Sequence, residues 1–312
     1  MMKKFILIAA LGLFSLNITA QDAPKEEGFV FTTVKENPIT SIKNQNRSST
    51  CWSFSSLGFL ESELLRMGKG EYDLSEMFVV HHTMVDRAQN YVRYHGDSSF
   101  SPGGSFYDIM FCLKNYGLVP QEAMPGIMYG DTLPVHTYLG KCPEKFTYKG
   151  KEYTPKTFGE SLGINPDDYV SLTSYTHHPF YTQFAIEIQD NWRNGLSWNL
   201  PIDELMAVMD NAIKKGYTFA WGSDVSEQGF TRDGIAVMPD AARGAELTGS
   251  DMARWTGLTA ADKRKELTSK PLPEVNVTQE MRQAAFDNWE TTDDHGMVIY
   301  GIAKDQNGKE YF

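Results

Sequence analysis

A thiol cleaves an acyl bond only as its thiolate, so a catalytic cysteine needs a helix N-terminus, a histidine partner, or both, to bring its pKa down from about 8.5. Of the three cysteines in this 312-residue chain, Cys51 has the setting for that chemistry. It stands where a polar loop, residues 39–50, gives way to an apolar-periodic run. Thr50 or Ser49 would serve as N-cap, which places Cys51 in a first helical turn where unpaired N–H groups and the dipole favour an anion. Acyl transfer also needs donors aimed at the developing oxyanion, and Gln45, six residues before Cys51, can fold back to join the Cys51 backbone N–H. On the residues alone, a Cys-Trp pair at a helix start is more often packing than catalysis.

The elements that must carry these groups read as follows. From Cys51 to Met67 the residues Trp52, Phe54, Leu57, Leu60, Leu64 and Leu65 mark one face of a buried helix, stopped by Gly68 and Gly70. Further helices are expected over Ser75 to Gln89 and Ser105 to Asn115, the latter after the breaker Pro102-Gly103-Gly104. Residues 140–200 are polar, aromatic and rich in turn formers, and read as an insertion or elaborated lobe without regular architecture. Pro201 to Lys215 is a helix with proline at its start. Strands are expected to dominate the remainder, with Tyr217 to Trp221 as one and Asp293 to Tyr300 as another. Asp305-Gln306-Asn307-Gly308 is a hairpin turn, since Asn-Gly supplies the positive φ angles such turns need. Lys309 to Phe312 is a short return strand, so the sequence reads as stopping inside a hairpin, as a truncated chain would.

Several of these segments occur together elsewhere. Gln45-Asn46-Arg47-Ser48-Ser49-Thr50-Cys51-Trp52-Ser53-Phe54 resembles the nucleophile segment of papain-like cysteine peptidases. Leu74-Ser75-Glu76 resembles the opening of their next helix, Gly103-Gly104 their substrate-binding glycine pair, and Tyr116-Gly117-Leu118-Val119 the turn after the following helix. Asp293-Asp294-His295-Gly296-Met297 resembles the segment that bears the catalytic histidine. Positions 51 and 295 are 244 residues apart, against about 130 to 150 in papain and cathepsins. That expansion, Ala220-Trp221-Gly222-Ser223-Asp224-Val225, and Ser48 in place of a structural cysteine resemble the bleomycin hydrolase and aminopeptidase C branch. The likeness spans about residues 36–312.

The resemblance implies an α+β, two-lobed papain-like fold: a mainly helical lobe over about 36–135, the insertion over about 140–200, and a β-rich lobe over about 201–312 with its last strands missing. It implies a cysteine peptidase, an aminopeptidase more than an endopeptidase, with Cys51, His295 and Gln45 catalytic and Trp52, Gly103 and Gly104 at the substrate. The alternative is a catalytically silent papain-like protein that binds peptides or partners. In the family an asparagine on the strand after the histidine's hairpin orients the ring; the sequence reaches Phe312 before any such motif, and Asn307 is read as part of the turn. Branch members also set their own C-terminus in the groove and assemble as hexamers. The resemblance admits a homo-oligomer, but neither the hexamer nor the tail is carried over to this chain.

Bulk properties bound the rest. A formal charge of -11 repels phosphate backbones and anionic lipid, which argues against nucleic acid and membrane surfaces as partners. Lys3 and Lys4 precede an apolar run, Phe5 to Leu16, and Ala20 offers a cleavage point, so residues 1–20 read as a signal peptide and the mature chain as periplasmic or secreted. The competing reading is an uncleaved anchor, but the run is shorter than the roughly 20 residues a span requires. An odd cysteine count leaves at least one thiol unpaired; Cys112 lies in an apolar setting and Cys142 is a possible mate. His177-His178, just before Pro179, reads as a surface loop. With no Cys-x-x-Cys and no His-Glu-x-x-His, no metal or cofactor is expected.

Overall fold

The structure, a computed structural model, describes residues 28–126, 141–227, 229–240 and 248–312. The expected signal segment and the last residues of the helical lobe, 127–135, lie outside them.

β1 (Thr32–Glu36) is followed by three helices, α1 (Cys51–Arg66), α2 (Glu76–Arg93) and α3 (Phe106–Asn115). The starts of α2 and α3 are those that polar residues dictate. The Ser75 hydroxyl accepts the Phe78 N–H at 3.1 Å, and the Ser105 N–H donates to the Asp108 carboxylate at 2.9 Å. α2 runs a turn past Gln89 and stops where His95 and Gly96 take positive φ. The apolar faces of all three meet in one core with Trp52, Leu57, Leu60, Leu64, Phe78, Val79, Ile109 and Leu118. Each fully buried side chain of this size contributes roughly 1.5–3 kcal/mol.

The stretch expected to lack regular structure contains short elements. β2 (Phe146–Tyr148) and β3 (Lys151–Tyr153) form a hairpin, and α4 (Pro155–Leu162) follows, capped by Thr154. Phe158 and Leu162 of α4 enter the same core as Trp52, so this part belongs to the helical lobe and is not a separate insertion. β4 (Leu172–Thr173), β5 (Gln183–Ala185) and β6 (Leu196–Asn199) make a sheet in the order β4-β6-β5, with β4 parallel and β5 antiparallel to β6. Strands of two to four residues are too short to show an alternating pattern.

α5 (Ile202–Lys214) leads to β7 (Phe219–Ser223), and three helices come next: α6 (Gly249–Gly257), α7 (Ala260–Thr268) and α8 (Gln279–Asp287). None of these three is evident from periodicity, and they make this half less strand-dominated than expected. In α7, Ala-Ala-Asp-Lys-Arg-Lys-Glu-Leu-Thr, only Leu267 and Thr268 are buried. β8 (His295–Ile299) pairs antiparallel with β7, setting His295 opposite Ser223. β9 (Gly301–Lys304) joins β1 on one side and β10 (Glu310–Tyr311) on the other, through the expected turn at Asp305 to Gly308. Among the described residues, no helix is long and apolar enough to cross a membrane.

Candidate active site

The N-terminus of α1 lies against β8. Along α1 the residues Cys51, Ser55 and Gly58, spaced four and three apart, form a small-residue face toward the strand. A Cβ on Gly58 would sit 3.4 Å from Val298. At Gly296 the approach is closer: a Cβ there would fall 2.7 Å from Ser55 Oγ and 3.5 Å from the Cys51 carbonyl oxygen. Only glycine at position 296 lets the strand settle on the helix start, and it brings the residue after His295 into contact with Cys51.

The backbone N–H groups of Gly296 and Trp52 lie near enough to the Cys51 thiol to pull its pKa down. Both favour the thiolate. Burial nevertheless outweighs them, and with the negative charges of Asp293 and Asp190 nearby the thiol is held above its ordinary value. The helix start therefore does not by itself depress the thiol, contrary to the expectation from its N-terminal position. Asp293 is pushed up to about 6, first by desolvation and then by Asp190 and Asp294, although it keeps a face open to solvent.

The turn leading into His295 is laced to the end of β7. Asp224 accepts the Ser226 hydroxyl at 2.6 Å, the Thr292 N–H at 2.7 Å and the Ser226 N–H at 2.8 Å, bonds that bring it down to about 2 against the opposing effect of burial. Asp294 accepts the Val225 N–H at 2.9 Å, and its own N–H reaches the Ser223 carbonyl at 3.2 Å. The segment Ser223-Asp224-Val225 thus fixes where the backbone of His295 emerges.

Trp52, expected at the substrate, is 3% exposed and has no face to offer one. Its indole N–H donates to the Pro102 carbonyl at 3.0 Å, and its ring lies where a Cβ on Gly104 would be, 2.8 Å away. It positions the glycine pair. Gly103 in turn packs on the Asp190 carboxylate, which a side chain there would overlap. Its carbonyl accepts a hydrogen bond from Arg87 at 2.5 Å. Arg87, 0% exposed, also donates to Ser99 and to the Gln189 carbonyl, clamping the glycine loop and the 189–190 loop together.

Gln45 lies in a tightly wound loop with Asn46 and Ser49 at positive φ. Its side-chain oxygen is buried without a hydrogen-bond partner. Thr50 occupies the N-cap position of α1, but its side chain does not cap the helix; its hydroxyl pairs with that of Ser48. Asn307 lies in the turn as read, its N–H donating to Asp305. All three cysteines are free thiols, so Cys112 and Cys142 are not joined. Sequence reasoning missed Arg87, Asp190 and the effect of Asp293 on the thiol. Arg87 left a trace, a lone cation in line with Val79 and Thr83 on the buried face of α2.

The sequence model of the papain family cysteine proteases matches residues 29–153, and that of the Peptidase C1-like family matches residues 134–240. The matched residues include Cys51, Gly103, Gly104 and Asp190 and end before His295. Aminopeptidase G of Lactobacillus delbrueckii subsp. lactis is 23% identical over 273 residues, covering 64% of this chain and 62% of the relative. A viral cathepsin of Choristoneura fumiferana nuclear polyhedrosis virus is 24% identical over 232 residues, covering 69% of this chain and 62% of the relative. The chain thus spans 62% of the length of these curated relatives. The crystal structure of pepw from Lactobacillus rhamnosis HN001 superposes with a TM-score of 0.59 at 18% identity, over 89% of this chain and 74% of that one, which establishes a papain-like α+β fold.

Proposed function

We propose that this chain, which two models of papain-type peptidases match over residues 29–153 and 134–240, is a papain-like cysteine peptidase that hydrolyses peptide bonds by thiolate acyl transfer and acts as an aminopeptidase. The observation that carries this reading is the seating of β8 on the start of α1, where a Cβ on Gly296 would fall 3.5 Å from the Cys51 carbonyl oxygen and His295 is the adjoining residue. His295 withdraws the thiol proton, the thiolate attacks the carbonyl, and the imidazolium returns the proton to the departing amine. Water then opens the thioester. Gln45 and the Cys51 backbone N–H are the oxyanion donors, and removing one such donor costs about a hundred- to a thousandfold in rate.

Action at the amino terminus is supported by the names of two relatives, Aminopeptidase G and Aminopeptidase E, and by the anionic Asp190 and Asp293 near the thiol. A protonated α-amine is attracted to such a site, whereas an N-acylated end is not. Free-amino and N-blocked peptide substrates, assayed side by side on wild-type, Cys51→Ala and His295→Ala proteins, test the reading. It predicts turnover of the free-amino substrate that both substitutions abolish; turnover that survives in Cys51→Ala would refute it. The rival, a papain-like groove that binds without cutting, draws on the raised thiol and requires that no substrate be turned over. The leader with Lys3 and Lys4 supports export to the periplasm or medium, which N-terminal sequencing of the mature protein from cell fractions would test.

A further inference from the structure

Away from the cleft, the loop before β5 and the residues just after it bring His177, His178 and Glu187 together. His177 Nε2 lies 3.1 Å from one oxygen of Glu187, and His178 Nε2 lies 2.8 Å from the other. All three potential ligand atoms fall within 4.8 Å of one another. We propose that His177, His178 and Glu187 form a binding site for a divalent late first-row transition metal of the zinc type.

Two imidazoles and one carboxylate are a donor set that suits such an ion, and they leave further positions for solvent. The rings are fixed before an ion arrives. His177 stacks on Phe286 at 5.6 Å and His178 on Phe184 at 4.1 Å. The loop backbone is held from beneath by the buried Asn199 amide, which donates to the Tyr175 and His178 carbonyls at 2.8 and 2.9 Å.

A ligating histidine ordinarily has its second nitrogen held by an outer partner. Here the buried Gln283 amide meets His177 Nδ1 with its nitrogen at 3.0 Å and its oxygen at 3.3 Å. It can therefore serve either tautomer. With the proton on Nδ1 directed at the Gln283 oxygen, the Nε2 lone pair is free for a metal. Glu187 is 55% exposed on its side chain, so an ion has a path in, and it would replace the hydrogen-bonded protons now between the imidazoles and the carboxylate. Gln283 and Phe286 both belong to α8, the helix that precedes the His295 strand. An ion here would tie the β4-β6-β5 unit to that helix.

The test uses the full-length chain carrying Cys51→Ala, which removes the nucleophilic thiol as a competing ligand. Zn2+ is titrated against a chromophoric chelator, and Co2+ binding is followed by its visible d-d absorption. One equivalent is expected, with a nitrogen- and oxygen-ligated cobalt spectrum lacking a thiolate charge-transfer band. Glu187→Gln, an exposed change that leaves the fold intact, and His178→Ala should each abolish that equivalent. Gln283→Ala should weaken it about 10- to 100-fold. Absence of Zn2+ binding in the Cys51→Ala chain would overturn the assignment, as would binding unchanged by both Glu187→Gln and His178→Ala, or a cobalt spectrum showing thiolate ligation.

Discussion

Replacing Lys43 by methionine should unfold the protein far more readily than loss of a surface lysine would. Lys43 stands in the loop that carries Gln45, and its ammonium lies 2.7 Å from Glu61, 2.7 Å from Asp73 and 3.0 Å from Glu76. Glu61 and Glu76 side chains are 0% and 1% exposed, while Lys43 is 20% exposed. Burial pulls the lysine down, but Glu76 and Glu61 outweigh it and hold it well above its ordinary value. Glu76 is pushed up by burial and drawn back by Lys43. Removing the cation leaves two carboxylates enclosed without it, which typically costs about 3–5 kcal/mol, against about 0–1 kcal/mol for a solvent-exposed pair.

The assay is urea denaturation of wild type and Lys43→Met at several pH values, with Glu76→Gln alone and in combination. Without Lys43 the folded-state pKa of Glu76 rises further above its unfolded value. The penalty for its buried charge is then full at neutral pH and relieved as falling pH protonates it, so the difference between the two proteins should be largest near pH 7 and smaller near pH 5. In the double variant part of the loss should return, with a coupling of about 1–3 kcal/mol. A cost under about 1 kcal/mol at pH 7, or one that grows toward acid, would refute the reasoning.

Gly296→Ala should lower kcat more than it lowers Tm, because the added carbon, 2.7 Å from Ser55 Oγ, pushes the His295 strand off the start of α1. Its stability cost should be about 1–3 kcal/mol, and the partner change Ser55→Ala should restore activity in part; steady-state kinetics and thermal melts check both. Trp52→Phe deletes the bond to the Pro102 carbonyl and should cost about 1–3 kcal/mol, with KM raised as the Gly103-Gly104 segment loosens, read from denaturation and substrate titration. Arg87→Met removes the clamp on Gly103 and Gln189, and limited proteolysis should find new cleavage near residues 99–103 or 189–190.

What could be read directly from the chain was local and periodic. α1 was legible because Trp52, Leu57, Leu60 and Leu64 recur at helical spacing and all end up buried. β8 was legible as the run Met297-Val298-Ile299, and the last turn through its Asn-Gly pair. The helices α6 to α8 were not, because nine-residue segments with few buried side chains carry no apolar stripe. The role of Trp52 was misjudged for a different reason: an indole beside a nucleophile looks the same in sequence whether it faces substrate or packs under a glycine. The direction of the Cys51 thiol was beyond reach, since it depends first on burial and then on Asp293 and Asp190, all of which only the fold supplies.

Those two carboxylates act on the chemistry and on binding in opposite senses. An anion near a thiol disfavours thiolate, so Asp293 makes Cys51 a poorer nucleophile; under the proposed aminopeptidase action the same charge would attract a protonated amino terminus, whose arrival would cancel it. Asp293→Asn should therefore separate the two effects. At pH 7.5, where a carboxyl near 6 is ionised, iodoacetamide should label Cys51 faster in the variant. Near pH 5, where Asp293 is already protonated, the rates should converge. Over the same range the variant's preference for free-amino over N-blocked substrates should shrink at pH 7.5 and match wild type at pH 5. Faster labelling at both pH values would show that Asp293 acts through packing and not through its charge, and an unchanged substrate preference would remove it from recognition of the amino terminus.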